Sequence, residues 1–251
     1  MIISVFNCSN GKVADSDMQK VIRAINVQIA RDFEPYWSFG ATLRLEGHTR
    51  QPNPRKRPYS AADMRGDAVL YLWDHVPKDY EGMHDRDFRG VPFGVVGLDL
   101  SEKLQEGWTV TLSHEALELI GDPQSNLVVQ GPSPRNAKRD VFHWFEMCDA
   151  VQAQAYELDG VFVADFVLPL YFTRTREKGS RNNFLGVIAK NSPVLKSFGV
   201  LPGGYIGYFN PTTRSNATFE LAKDPTALAR QRIKSQFRIG RRVQRMRRGK
   251  F

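Results

Sequence analysis

The stretch WTVTLSHEALELIGDPQ, residues 108–124, decides how this chain is read. Leu112, Leu117, Leu119 and Ile120 give it a core-facing helical surface, and the helix stops at Gly121 because Asp122-Pro123 prevents continuation. Within it His114, Glu115 and Glu118 spell H-E-x-x-E, one residue away from the H-E-x-x-H of zinc hydrolases. Positions i and i+4 of a helix differ by about 40° in azimuth and about 6 Å in rise. His114 and Glu118 can therefore offer an imidazole and a carboxylate to one ion. Glu115 points beside the pair, where the equivalent carboxylate of H-E-x-x-H enzymes takes a proton from water on the metal. The competing reading is an ordinary amphipathic helix whose His-Glu-Glu face is solvated.

A third ligand has to come from elsewhere. Asp122 is about 12 Å beyond His114 along a straight helix, too far to share an ion unless Gly121 takes positive φ and folds the chain back. Downstream, WFEMCD (144–149) offers Glu146, Cys148 and Asp149 in or next to a strand. Alternation puts Glu146 and Cys148 on one face and Asp149 on the other. Glu146 or Asp149 is preferred as ligand over Cys148, whose bland reading is a small buried hydrophobe. The bland reading of either acid alone is turn-capping or exposure.

Around this helix the pattern alternates between strands and helices. MIISVFNCS is a first strand, and DSDMQKVIRAINVQIARDF is a helix with apolar steps of three and four and Asp15 or Ser16 as N-cap. The chain then turns at Pro35 and enters a strand near residues 41–45. HTRQPNPRKRPYSAADMRG, with Pro52, Pro54 and Pro58, reads as a surface loop, and DAVLYLWDHV as an apolar strand. DYEGMHDRDFRGVPFGVVGLDLSE reads as a loop followed by an edge strand, its Gly and Pro disfavouring a central position. QSNLVVQGPSPRNAKRD is expected to be exposed loop. Short strands follow to about residue 172, with a hairpin turn at LDGV. TRTREKGSRNNF is a basic loop, and Asp224-Pro225 opens a terminal basic helix.

The chain has 251 residues, 41% of them hydrophobic and including 16 Phe, enough to bury a core and too apolar for disorder. Two cysteines, Cys8 and Cys148, cannot build a disulfide framework, so a reducing compartment is expected. No apolar run is long enough to cross a bilayer, and MIISVF lacks the basic start of a signal peptide. The charge is uneven: residues 230–251 hold ten Lys or Arg and no acid, so setting them aside turns the chain's +8 into −2. That segment can neutralise phosphates of a nucleic acid or attach to an acidic protein. Sequence-specific reading is not expected, because aromatic interleaving is limited to Phe237 and Phe251.

TLSHEALELIGDP, followed after a loop by FEMCDAVQAQAYELDGVFVADFVLP, resembles a family of zincin-like, metallopeptidase-like proteins of bacteria and their phages. Those proteins carry an S-H-E-x-x-E-x-x-x-D-P helix and a later E-x-C-D segment leading into strands. INVQIARDFEPYWSFGATLRL is also similar to the family's opening. The likeness spans about residues 1–172, most closely 109–124 and 145–169. It implies an α+β, zincin-like fold, a mixed sheet whose edge strand precedes an active-site helix. The expected organisation is a zincin-like domain over 1–172, a Gly- and aromatic-rich extension over 173–224, and a basic helix or tail over 225–251.

The resemblance also implies a metal held by His114 and Glu118, completed by Asp122, Glu146 or Asp149, with Glu115 as base. Exchanging the second imidazole for a carboxylate makes such a site more anionic, which suits zinc less exclusively and admits calcium or manganese. The expected function is a metal-dependent, zinc-using hydrolase of peptides or proteins. The alternative is a non-catalytic phage structural or assembly protein on the same scaffold, with residues 230–251 touching nucleic acid or other subunits. The expected location is cytoplasmic, or the virion if the origin is a phage.

Overall fold

The computed structural model describes residues 1–46, 65–75, 82–87, 90–103, 107–175, 178–189 and 191–221. The proline-rich loop over 47–64 and the basic segment over 225–251 lie outside the described residues. The chain divides into two compact units. The first comprises Met1–Ser125 with Glu157–Val163, and the second Asn126–Tyr156 with Ala164–Phe251. Among the described residues no helix is long and apolar enough to cross a membrane.

The first unit is a mixed sheet with helices. Strands β1 (Ile2–Cys8), β2 (Thr42–Leu45), β3 (Ala68–Trp73), β4 (Gly82–Arg86) and β5 (Pro92–Gly97) lie in the order β2-β1-β3-β5-β4. All neighbours run parallel except β4, which is antiparallel to β5. All six residues of β3 are buried, as expected of an apolar strand flanked by parallel neighbours. The edge is β4 and not β5, contrary to the sequence expectation. Gly94 explains why a glycine sits inside: a Cβ there would collide with Leu70 Cδ2, so the residue permits close approach instead of marking an edge.

Helix α1 (Asp15–Val27) buries Met18, Val21, Ile22, Ala24 and Ile25. Its N-cap is Ala14, not Asp15 or Ser16, and no side chain caps it. Asp15 instead accepts a hydrogen bond from Asn7 Nδ2 at 2.7 Å, which holds it in the first turn. The helical path does not end at Pro35. A wider π turn over Gln28–Phe33 leads into α2 (Glu34–Trp37), where the proline occupies the first turn and its missing N–H costs nothing. The left-handed Ser38 (φ 60°) ends it. After β5, helix α3 (Leu98–Lys103) leads to α4 (Trp108–Gly121).

The second unit is built on an antiparallel sheet of β6 (Val128–Ser133), β7 (Asn136–Trp144), β10 (Tyr205–Asn210) and β11 (Ser215–Glu220), in the order β11-β10-β7-β6. Residues 124–140, expected to be loop, contain most of the β6–β7 hairpin. Prolines and charges masked it: Pro132 is tolerated because β6 is an edge strand, and residues 136–140 are exposed, so no apolar alternation marks them. Asp165 is fully buried and fixes the start of α5 (Phe184–Ile188), accepting from Leu185 N–H at 2.8 Å and Asn183 Nδ2 at 2.6 Å. In sequence between β7 and β10, β8 (Ala155–Leu158) and β9 (Val161–Ala164) form a ribbon, of which Glu157–Val163 belongs to the first unit. Its turn is the expected one, with both Asp159 (φ 50°) and Gly160 (φ 75°) left-handed.

Candidate metal centre

Helix α4 is buried all round: every residue from Thr111 to Gly121 is shielded from solvent. The solvated His-Glu-Glu face is therefore not what folds. His114 is 3% exposed and Glu115 and Glu118 are 0% exposed. Acids are almost never so deeply buried unless paired, because an ionised carboxylate loses its hydration there. The helix thus carries two carboxylates and an imidazole where a simple core helix would carry leucines.

Their arrangement follows from helical spacing. His114 Nε2 and Glu118 Oε1 are 3.1 Å apart. Two donor atoms on one tetrahedral zinc, each about 2.0–2.1 Å from it, are about 3.3 Å apart. The pair's spacing is compatible with ligation of one ion, and it is equally that of an N–H···O hydrogen bond. Ser113, on the same helix, donates to Gln28 Oε1 at 2.6 Å, a buried bond that ties α4 to the π turn. The π turn has a purpose here: it carries Gln28 into the core opposite α4.

A fourth group was not anticipated. His84, in the middle of β4, is 2% exposed, and its Nδ1 is 3.5 Å from Glu118 Oε2 and 3.6 Å from Glu115 Oε2. Two features bring the edge strand this close. Gly82 has no side chain where a Cβ would come within 2.5 Å of Glu115 Oε1 and 2.8 Å of Thr111 Cγ2. The turn after α4 then pins the strand: Ser125 Oγ donates to the His84 carbonyl at 3.2 Å, and Arg86 donates to Gln124 Oε1 at 3.1 Å. Gln124 in turn donates to the Gly90 carbonyl at 3.1 Å. The sequence signal for His84 was the short GMHDR run, whose glycine and charges read as loop.

Of the residues singled out from sequence, His114, Glu115 and Glu118 lie together in the first unit, joined by His84. Asp122 is fully buried at the end of α4, where its N–H donates to the Glu118 carbonyl at 2.8 Å. The expected positive φ at Gly121 is absent: Gly121 remains the last helical residue, Asp122 (φ −136°, ψ 70°) turns the chain, and Ser125 (φ 47°) is the left-handed residue. The backbone bond to Glu118 holds this final turn helical, so no glycine break is needed.

Glu146, Cys148 and Asp149 belong to the second unit. They are buried at 4%, 0% and 1% exposure. Strand alternation does not govern them, because β7 ends at Trp144 and a 3-10 turn begins at Asp149. Burial pushes the Tyr171 hydroxyl pKa up, and the Asp149 charge adds to the effect. Neither cysteine is in a disulfide.

Groups of three buried His, Glu or Cys residues among the described residues could hold a metal ion, and within them the nitrogen and oxygen atoms of His114 and Glu118, and of His84 and Glu118, lie within 4.8 Å of one another. The donors are nitrogen and oxygen, a mix that zinc, manganese and related divalent ions accept. No protein-family model, no curated protein and no solved structure matches the chain.

Proposed function

We propose that this chain is a metal-dependent hydrolase of peptide bonds, with His114 and Glu118 holding a zinc ion and Glu115 acting as general base. The observation that supports it most is the 3.1 Å approach of His114 Nε2 to Glu118 Oε1 on a helix with no solvated face. A buried imidazole–carboxylate pair beside a second buried carboxylate is a nitrogen-and-oxygen donor set that a divalent cation can share. His84 adds a second imidazole to this group, which favours zinc over calcium more than the helix residues alone do.

Zinc in such a site supplies a Lewis acid that polarises a carbonyl and acidifies water. The chain's own residues do the rest. Glu115 takes the proton from the attacking water and delivers it to the leaving amine, which requires it to stand near the ligands without being consumed by them. Its neighbour relations fit, since it lies next to His114 in sequence and faces His84 Nδ1 in space. Burial around α4 limits competing solvent and strengthens each charge interaction.

The test is Glu115→Gln. It keeps size and removes the base, so peptide hydrolysis should fall by about two to four orders of magnitude while metal content stays unchanged. Equal loss of metal and activity would assign Glu115 to binding. Hydrolysis unaffected by the change would remove it as the base.

A further inference from the structure

We propose that Glu118 bridges two metal ions, one taken by His114 and a second by His84, so that the site is dinuclear. This rests on the metal-centre reading above and deepens it. The two imidazoles address different atoms of the same carboxylate: His114 Nε2 faces Oε1 at 3.1 Å, and His84 Nδ1 faces Oε2 at 3.5 Å. Both spacings match the roughly 3.3 Å expected for donors sharing an ion. A carboxylate with one metal on each oxygen is the bridge found where two ions lie about 3.5–4 Å apart.

The edge strand is built to supply this second imidazole. His84 enters from β4, an element independent of α4, and its backbone is anchored by Ser125 Oγ. Gly82, two residues earlier, lets the strand approach Glu115. A histidine serving only as a hydrogen-bond partner for Glu115 needs a single N–H directed at one carboxylate. Here the same nitrogen lies 3.5 Å and 3.6 Å from two buried carboxylates, a donor set that a divalent cation can share.

The experiment uses the full chain, stripped with chelator and reloaded with zinc or manganese. Elemental analysis should give about two ions per chain in the wild type, and about one in His84→Ala and in His114→Ala. The manganese-loaded wild type, which does not depend on any variant folding, should show the electron-spin-resonance signature of a coupled pair. One ion per chain in the wild type, or an uncoupled manganese signal, overturns the proposal. Two ions persisting in a folded His84→Ala removes His84 from the site. An absence of any bound ion in the wild type defeats the metal-centre reading itself, a separate result.

Discussion

Gly82 of β4 stands against Glu115 of α4 so closely that a methyl group at position 82 would lie 2.5 Å from Glu115 Oε1. The contact sets the gap between the edge strand and the helix that carries the candidate ligands. Gly82→Ala must displace the strand, the glutamate or both. The expected cost is about 1–3 kcal/mol in urea denaturation, typical of overpacking in a filled interior. If Glu115 is the base, hydrolysis should fall by more than the stability loss explains, because the carboxylate moves. Wild-type stability and activity in Gly82→Ala would show that the gap is slack.

The bond from Ser113 to Gln28 makes a second, separable prediction. Ser113→Ala leaves a buried amide facing a methyl group, and the cost should be about 1–3 kcal/mol. Metal content should hold, because the helix face bearing His114 and Glu118 is set by the helix itself. Chemical denaturation together with elemental analysis checks both halves. Metal loss at unchanged stability would mean the π turn positions the ligands directly.

Asp165 predicts a pH dependence in the second unit. Burial raises its pKa from 3.8 to about 6, against the opposing hydrogen bonds from Asn183 and from backbone N–H groups including Leu185. A carboxyl raised in the folded state holds its proton more tightly there than in the unfolded chain. Its contribution to stability is therefore full below about pH 4 and lost as pH rises through about 6. Comparing unfolding of wild type and Asp165→Asn from pH 4 to 7 isolates the effect: the wild type should lose stability relative to the variant across that window, by a few kcal/mol in order of magnitude. A constant difference between the two would contradict it.

What the sequence disclosed and what it hid have physical reasons. The periodicity of α1, the apolar run of β3, the stop after Gly121 and the Asp159-Gly160 turn were legible because each is a local signal. The i,i+4 relation of His114 and Glu118 was legible too, since helix geometry alone brings them together. Their burial was not, because it depends on what packs around α4. His84 was hidden because its strand is five residues long and its closeness to α4 depends on Gly82 and Ser125, distant in sequence. The β6–β7 hairpin was hidden because residues 136–140 are solvent-facing and bear no apolar alternation. The Gly-rich stretch before β11 became intelligible only with its partner: a Cβ on Gly207 would collide with the Trp144 ring, so the glycine makes room for that tryptophan.

The most direct measurement is the metal content of the purified full chain, as isolated and after refilling with zinc, calcium or manganese, beside that of His114→Ala. Stoichiometric divalent metal is expected in the wild type, with less in the variant because one nitrogen donor is gone. Wild-type protein that stays metal-free after every refilling, while properly folded, would contradict it.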